Sequence, residues 1–439
     1  MLCREFAWIE PATAFQVLAA HAPLVFLDSA ATGDPRATTS YLALEPRAVL
    51  RLNQAADLSL WLNTARPTDD TCPADWPFPF KGGAIGWLGY EAGMTQAGVR
   101  SRHSPVPGLP PGWFGMFDLV LGFDHASRRC LALAAGRPGQ SAEARLVALA
   151  DRLTIPAKPF PVLPRLGWQP ELSRAIYEAR VQRLRGYIAS GDVYQANFTT
   201  RFISPRPPGF NAASCHAALR IRSPAPFAAF IETGEGVTLC GASPERFLRV
   251  GPTGRVETRP IKGTAPRHPD PARDKVSAAA LHENPKERAE NLMITDLLRN
   301  DLGQLCEIGS VQVPELFTVE SFAQTHHLVS AVSGQLRPGV SAAELLLTCS
   351  PGGSITGAPK RRAMQVIDEL EETARGAYCG NLAWIGLDGA MDSAIIIRTI
   401  TATPDMLYAQ AGGGITWDSN PESEYDEMML KLSPLLAYD

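Results

Sequence analysis

Short apolar runs, four to nine residues long and closed off by glycine or proline, recur along the whole 439-residue chain. This pattern constrains the fold more than any other feature. Runs of that length are too short for most helices, and their regular punctuation predicts strands joined by turns. In the first third they are Pro23–Asp28, Ala48–Leu52, the glycine-rich Gly82–Tyr90, and Phe117–Asp124 with Arg129–Ala134, which resemble a hairpin. Glycines inside the 82–90 run allow a bulge or a close backbone approach. Further on, Asp192–Phe202, Pro226–Ile231, Val237–Gly241 and Phe247–Val250 continue the series. Many short strands with turn signals predict antiparallel sheets.

Helical spacing is rarer and therefore informative. Residues 141–153 place Leu146, Leu149, Ala150 and Leu153 on one face, with Ser141 as cap. From Ile155 to Pro170 five prolines exclude regular helix, so 154–170 reads as a linker between an N-terminal region, 1–153, and a second region, 171–439. Beyond it, 173–190 is amphipathic through Ile176, Val181, Leu184 and Ile188, and Gly191 stops it. The longest helical segment is Pro285–Leu302, with Asn284 as cap, Pro285 in the first position and Gly303 at the end. Its apolar residues Leu292, Met293, Leu297 and Leu298 predict a largely buried helix.

Composition excludes several classes. A hydrophobic fraction of 45% supplies an ordinary core, and 45 acidic against 41 basic side chains leave a net charge of −4, with no basic run suited to nucleic acid or anionic membrane. Eight scattered cysteines form no Cys-x-x-Cys pair and read as reduced, mostly buried thiols. No apolar run approaches the length of a membrane span, and the N-terminus lacks the pattern of a signal peptide, so a cytoplasmic location is expected.

Charged residues in constrained places carry the candidate chemistry. In Glu257–Thr264, Pro260 and Gly263 bracket Lys262. A lysine held by backbone geometry is a candidate desolvated nucleophile, although alone it reads more simply as a solvated lysine beside a turn. Upstream stands Ser243-Pro-Glu-Arg-Phe247, with Glu245. Glu287 and Glu290 lie three apart on one predicted helix, and Glu424 and Glu427 three apart on another. Four carboxylates meeting in one cleft repel one another unless a hard dication sits among them, and carboxylate oxygens suit Mg2+ better than zinc. Ala394–Thr401 reads as a strand, and within it Arg398 interrupts a run of isoleucines and needs an acidic partner or an anionic ligand. The glycines at 412–414 leave backbone amides uncovered, and Lys431 adds a cation, although four residues after Glu427 it also reads as a surface ion pair. The loop Cys349–Lys360 leads into a helix over 361–372 and is not a Walker loop. The strand 192–202 shows amides Gln195 and Asn197 on one face, suited equally to a polar cleft or to hydrogen bonding within a sheet. Together these groups point to a small ligand with more than one carboxylate.

At this point the residues resemble the chorismate-utilising enzymes: anthranilate synthase large subunits, aminodeoxychorismate synthase component I, and isochorismate and salicylate synthases. The resemblance covers nearly the whole chain. It rests on Ser243–Phe247, Arg288–Met293, Arg299–Gly303, His327–Ser330, Gly357–Lys360, Met391–Asp392 through Arg398–Thr399 and Ser423–Glu427, all in order. It implies an α+β fold of antiparallel sheets packed as a sandwich, helices outside, with two related halves around a central cleft. Within the family, isochorismate and salicylate synthases carry a lysine base where this chain has Gln195, which disfavours water addition. Anthranilate synthases typically read Pro-Ile-Ala-Gly where this chain has Pro260-Ile-Lys-Gly263, and that lysine marks the aminodeoxychorismate synthase branch. The alternatives are an anthranilate synthase and a catalytically inactive chorismate-binding relative.

What the resemblance implies about the site is specific. Lys262 attacks C2 of chorismate while Glu245, as general acid, protonates the leaving C4 hydroxyl, and ammonia then displaces the lysine. Glu290 and Glu427, helped by Glu287 and Glu424, hold Mg2+. Arg398, Lys431, Gly412 and Gly414 hold the carboxylates, and Thr264, His327, Ser354 and Tyr378 complete the substrate site. Ser29, Pro226, Phe227 and Ala228 match the positions of a tryptophan pocket in relatives. The chain shows no glutaminase nucleophile motif and no fused lyase domain, so ammonia is expected from a separate glutamine amidotransferase subunit.

Overall fold

The computed structural model describes residues 1–31, 33–53, 57–67, 71–322 and 325–437. The short runs form two antiparallel sheets, of twelve and ten strands, among the described residues. From one edge, the larger sheet orders Leu2–Phe6, Arg129–Ala134, Leu119–Asp124, Thr39–Leu44, Leu24–Asp28, Phe227–Glu232, Thr238–Ser243, Thr399–Ala402, Met406–Ile415, Gln195–Pro205 and Gly357–Ala358. The smaller runs from Ile261–Pro266 through Thr325–Gln335, Arg255–Thr258, Arg246–Val250, Met391–Ile395, Asn381–Gly386, Gly83–Leu88 and Gly112–Phe117 to Ala48–Arg51. Strands from before residue 154 and after residue 170 pair directly in both sheets: Leu24–Asp28 with Phe227–Glu232, and Gly83–Leu88 with Asn381–Gly386. The segment 154–170 thus joins parts of the same two sheets, and only Gln169–Pro170 within it is strand.

Side-chain alternation produces the layers. In Leu24–Asp28, Leu24 and Phe26 enter a core shared with the helices Pro11–Leu18, Ala142–Leu153, Arg174–Ala189 and Pro421–Leu436, whereas Val25 enters a second core with Ile85, Trp87, Trp113 and Phe117 of the other sheet. A third core packs the smaller sheet against the helices Pro285–Gly303 and Ala342–Cys349. Helix, sheet, sheet and helix follow one another.

Local signals set the helix ends. Ser141 Oγ accepts from the amide of Ala144 at 3.1 Å, and Asn284 Oδ1 accepts from the amides of Lys286 and Glu287 at 3.0 and 3.3 Å, each cap offsetting orphan donors of the first turn. Three expectations need correction. In Arg174–Ala189 the buried stripe is Tyr177, Val181 and Leu184, and Ile176 is exposed. In Pro285–Gly303 the buried face is Asn291, Ile294, Thr295 and Leu298, while Leu292 is 50% exposed. The isoleucine run read as one strand is two, Met391–Ile395 and Thr399–Ala402, and Arg398 between them takes a positive φ of 50°, outside the extended region.

Candidate active site

The stretch bearing Lys262 owes its shape to its neighbour, Thr325–Gln335. Ile261 pairs with Val329 and Thr264 with His327, so the two intervening residues face one partner residue, a β-bulge. Gly263 sits at φ 86°, the left-handed conformation that costs glycine least. The bulge turns Lys262 into a cavity of about 160 Å3 whose walls include Glu245, Ser354, Tyr378, Arg398, Gly412–Gly414 and Lys431. Residues far apart in sequence converge here because both sheets and the loop around Gly353–Ile355 meet at this point.

The charges in this cavity are mostly left without countercharges. Glu245 Oε1 accepts from Ser354 Oγ at 2.6 Å. Burial pushes its pKa up, against the opposing effects of the Ser354 hydrogen bond and the Lys262 charge. Arg398 has no carboxylate partner among the described residues, and burial lowers its pKa. Lys431 Nζ donates to Gly412 O at 3.0 Å and to Glu427 Oε1 at 2.7 Å. The Gly412–Gly414 end of its strand is uncovered on one side, since the neighbouring Thr399–Ala402 pairs along it no further than Ala409. On the other side, the space where a Gly414 Cβ would sit lies 2.1 Å from Gln195 Nε2 and 3.6 Å from Lys262 Nζ, so a side chain there would collide with one and crowd the other. Gln195 is buried and neither polar atom of its amide has a partner among the described residues.

The two glutamate pairs flank this cavity without lining it. Glu287 Oε2 lies against Gly263, and Glu424 Oε2 against Gly413. Burial raises the pKa of Glu290 and of Glu424; the Glu287 and Glu427 charges raise Glu290 further, and Glu427 also raises Glu424. Carboxylates that disfavour one another's charge across a cleft have the donor chemistry of a hard-cation site. Among the described residues, however, no three His, Cys, Asp or Glu side chains stand close enough together to hold a metal. Asn291 ties the Pro285–Gly303 helix to its strand, donating to Leu328 O at 3.1 Å and accepting from Ser330 Oγ at 2.5 Å.

Thr264 and His327 stand beside the cavity and not in its wall. Thr264 Oγ1 and His327 Nδ1 are 3.0 Å apart, and burial, then the Arg36 and Arg398 charges, lower the imidazole pKa. Ser29, Pro226, Phe227 and Ala228 line a different cavity, of about 200 Å3, with Arg36, Arg246, Trp384 and Asp392. Sequence reasoning did not find the buried support of the first cavity. Arg375, 3% exposed, pairs with Glu371 at 2.7 Å and donates to Asn197 O and Ile355 O at 2.6 and 2.9 Å. Glu371 accepts in turn from the amide and hydroxyl of Thr199. This pair fastens the strand bearing Asn197 to the loop bearing Ser354.

Comparison with known proteins agrees with this arrangement. The profile of the chorismate binding enzyme family matches residues 23–437. Aminodeoxychorismate synthase component 1 of Klebsiella aerogenes is 43% identical over 360 residues, covering 82% of this chain and 77% of that protein. Anthranilate synthase component 1 of Streptomyces coelicolor is 39% identical, covering 82% and 73%. The crystal structure of anthranilate synthase component I from Streptococcus pneumoniae superposes with a TM-score of 0.79 at 30% identity, covering 90% of this chain and 91% of that one. With the match spanning nearly the whole chain and the charged cavity at its centre, the protein belongs to the chorismate-binding enzyme family.

Proposed function

We propose that the protein is an aminodeoxychorismate synthase component 1: it converts chorismate and ammonia to 4-amino-4-deoxychorismate, for p-aminobenzoate and folate synthesis. The observation that carries this reading is Lys262 in one cavity with Glu245 and with the anion-binding groups Arg398, Lys431 and Gly412–Gly414. Arg398, without a carboxylate partner among the described residues, suits a substrate carboxylate. Glu245, its pKa raised by burial, keeps the proton a general acid must give. The Lys262 amine forms a bond to C2, both conjugated ring double bonds shift one place, and the C4–O bond breaks as Glu245 protonates the departing hydroxyl to water. Ammonia then bonds to C4, both double bonds shift back, the C2–N bond breaks to restore Lys262, and a proton from the new C4 nitrogen returns to Glu245. The net change is chorismate plus ammonia to aminated product plus water.

Glu290 and Glu427, with Glu287 and Glu424, would hold Mg2+, which when bound neutralises the ring carboxylate. Ammonia comes, in this reading, from a separate glutamine amidotransferase subunit; "component 1" in the name of the Klebsiella aerogenes relative supports such a partner. Among the described residues no helix is long and apolar enough to cross a membrane, in keeping with a cytoplasmic enzyme.

The anthranilate synthase relatives favour a second reading. Incubation with chorismate, Mg2+ and ammonia, with and without added aminodeoxychorismate lyase, separates the two. The proposed activity gives pyruvate and p-aminobenzoate only when lyase is added. Pyruvate and anthranilate without lyase would establish the second reading instead.

A further inference from the structure

Two charged residues, Asp301 in Arg299–Gly303 and Lys360 in Gly357–Lys360, have no part in the chemistry described above. Each stands at the helix end that disfavours its charge. Asp301 lies in the last turn of Pro285–Gly303, where the helix dipole is negative, and Lys360 opens Lys360–Leu370, where it is positive. The stability of either helix therefore explains neither charge. Both are also withdrawn from water: Asp301 is buried and the Lys360 side chain is 11% exposed. Each is the other's only ion-pair partner among the described residues. Stability is a weak reason for such a pair, since apolar residues of similar volume often replace one without loss.

What the pair holds is a loop. Lys360 Nζ donates to Asp301 Oδ2 at 2.5 Å and to Cys349 O at 3.0 Å. Cys349 ends the helix Ala342–Cys349 and Lys360 begins the next, so one ammonium closes the segment between them into a ring. The same ammonium fastens that ring to Pro285–Gly303, the helix that carries Glu287 and Glu290. Within the ring the backbone is pressed from two sides. A Cβ at Gly353 would lie 2.6 Å from Leu297 Cδ2 of that helix, and one at Gly352 would lie 3.1 Å from Phe247 Cε2, on the strand that follows Glu245. Ser354 comes next, and its Oγ donates to Glu245 Oε1 at 2.6 Å. An O–H···O bond spans only about 2.5–3.0 Å, so a loop displaced by about 1 Å loses it. Misplacement on that scale costs up to about a hundredfold in rate.

We propose that Lys360 and Asp301 are positioning residues for the amination: their pair sets the loop at the height where Ser354 meets Glu245, and so fixes the general acid relative to the glutamate-bearing helix. The inference rests on the reading that Glu245 is the acid in chorismate amination.

Asp301→Leu combined with Lys360→Met replaces the pair by apolar residues of similar size. This variant is assayed with Mg2+, chorismate and ammonium chloride at fixed pH, alongside thermal melting, in the wild-type background and again with Ser354→Ala. We expect a Tm at or above wild type, kcat lower by about tenfold or more, and KM for chorismate within about threefold. With the Ser354 hydroxyl already gone, removing the pair should change kcat by less than about threefold, because the pair acts through that hydroxyl. An unchanged kcat would make the pair replaceable packing, and an equal loss in both backgrounds would make it a general support. A loss carried by chorismate KM would place it with substrate binding, and any of these three results overturns the proposal. If the apolar pair does not fold, Asp301→Asn, which keeps the shape and one acceptor, enters the same cycle and the same outcomes decide. If wild type makes no aminated product at any ammonia concentration, the functional reading itself fails, before any variant is made.

Discussion

The cavity at Lys262 and the cavity at Ser29 and Phe227 are close in size, about 160 and 200 Å3, and opposite in electrostatic design. Around Phe227 most of the charges are matched within the protein, with Arg249 as the exception among the described residues: Arg36 with Asp34 at 2.7 Å, Arg246 with Asp392 at 2.9 Å, and Asp28 with Arg220 at 2.6 Å. Around Lys262, among the described residues, only Lys431 is paired, with Glu427. Among the described residues, Arg398 has no carboxylate, the Gln195 amide has no partner, and Glu245 has only the Ser354 hydroxyl. Buried charge left unmatched is costly in the free protein, and a ligand or a reaction can satisfy it. Of the two cavities, the one with unmatched groups is the candidate for chemistry, and the other for recognition of a ligand that does not react.

The comparison breaks most sharply at Lys262. Lys262→Ala should lower the amination rate by about 10³-fold or more, while Mg2+-dependent chorismate binding, followed by calorimetry, persists. Near-normal turnover would move the chemistry elsewhere. Next comes Glu245→Gln, expected to lower kcat by about 10²–10⁴-fold. Because burial raises the Glu245 pKa, wild-type kcat should fall as pH rises through that value and the acid is lost. The Gln variant should lack that limb. Stability follows the same sign. A carboxyl whose pKa is raised by folding contributes fully below its ordinary pKa, and that contribution fades as pH rises through the raised value. Thermal melting from pH 5 to 9 should therefore decline less steeply for Glu245→Gln than for wild type.

Arg398→Gln sharpens the contrast between matched and unmatched charge. A hydrogen bond to a charged group is worth about 1.5–3 kcal/mol, so chorismate KM should rise roughly ten- to a hundredfold. The unmatched arginine makes a second outcome measurable: relieved of its desolvated charge, the variant should melt at or above the wild-type temperature. The smallest effect belongs to the other cavity. Phe227→Ala should leave the amination rate within about twofold while enlarging the pocket, because no reacting group lies in its wall; a large loss would mean that the two cavities are not separate in function.

Much of this was legible because it is local. The caps Ser141 and Asn284, and the shared faces of Glu287 with Glu290 and Glu424 with Glu427, follow from residues within one or two helical turns. Lys262 was found through Pro260 and Gly263, but its aim comes from a bulge set by register against Thr325–Gln335, which a linear reading does not contain. The apolar composition around Arg398 argued for an unbroken strand, and tertiary context overrode it. The Glu371–Arg375 pair offered only its four-residue spacing, which reads as a surface ion pair, and its partners Asn197 and Thr199 lie more than 170 residues away.

The account turns on a covalent bond at one amine. Intact-protein mass spectrometry after incubation with chorismate and Mg2+, without ammonia, tests it directly. The expected result is a species heavier by one chorismate less one water, mapping to the peptide that holds Lys262, discharged by ammonia and missing from Lys262→Ala. The same adduct on Lys262→Ala, or full turnover with no adduct at any time point, would contradict it.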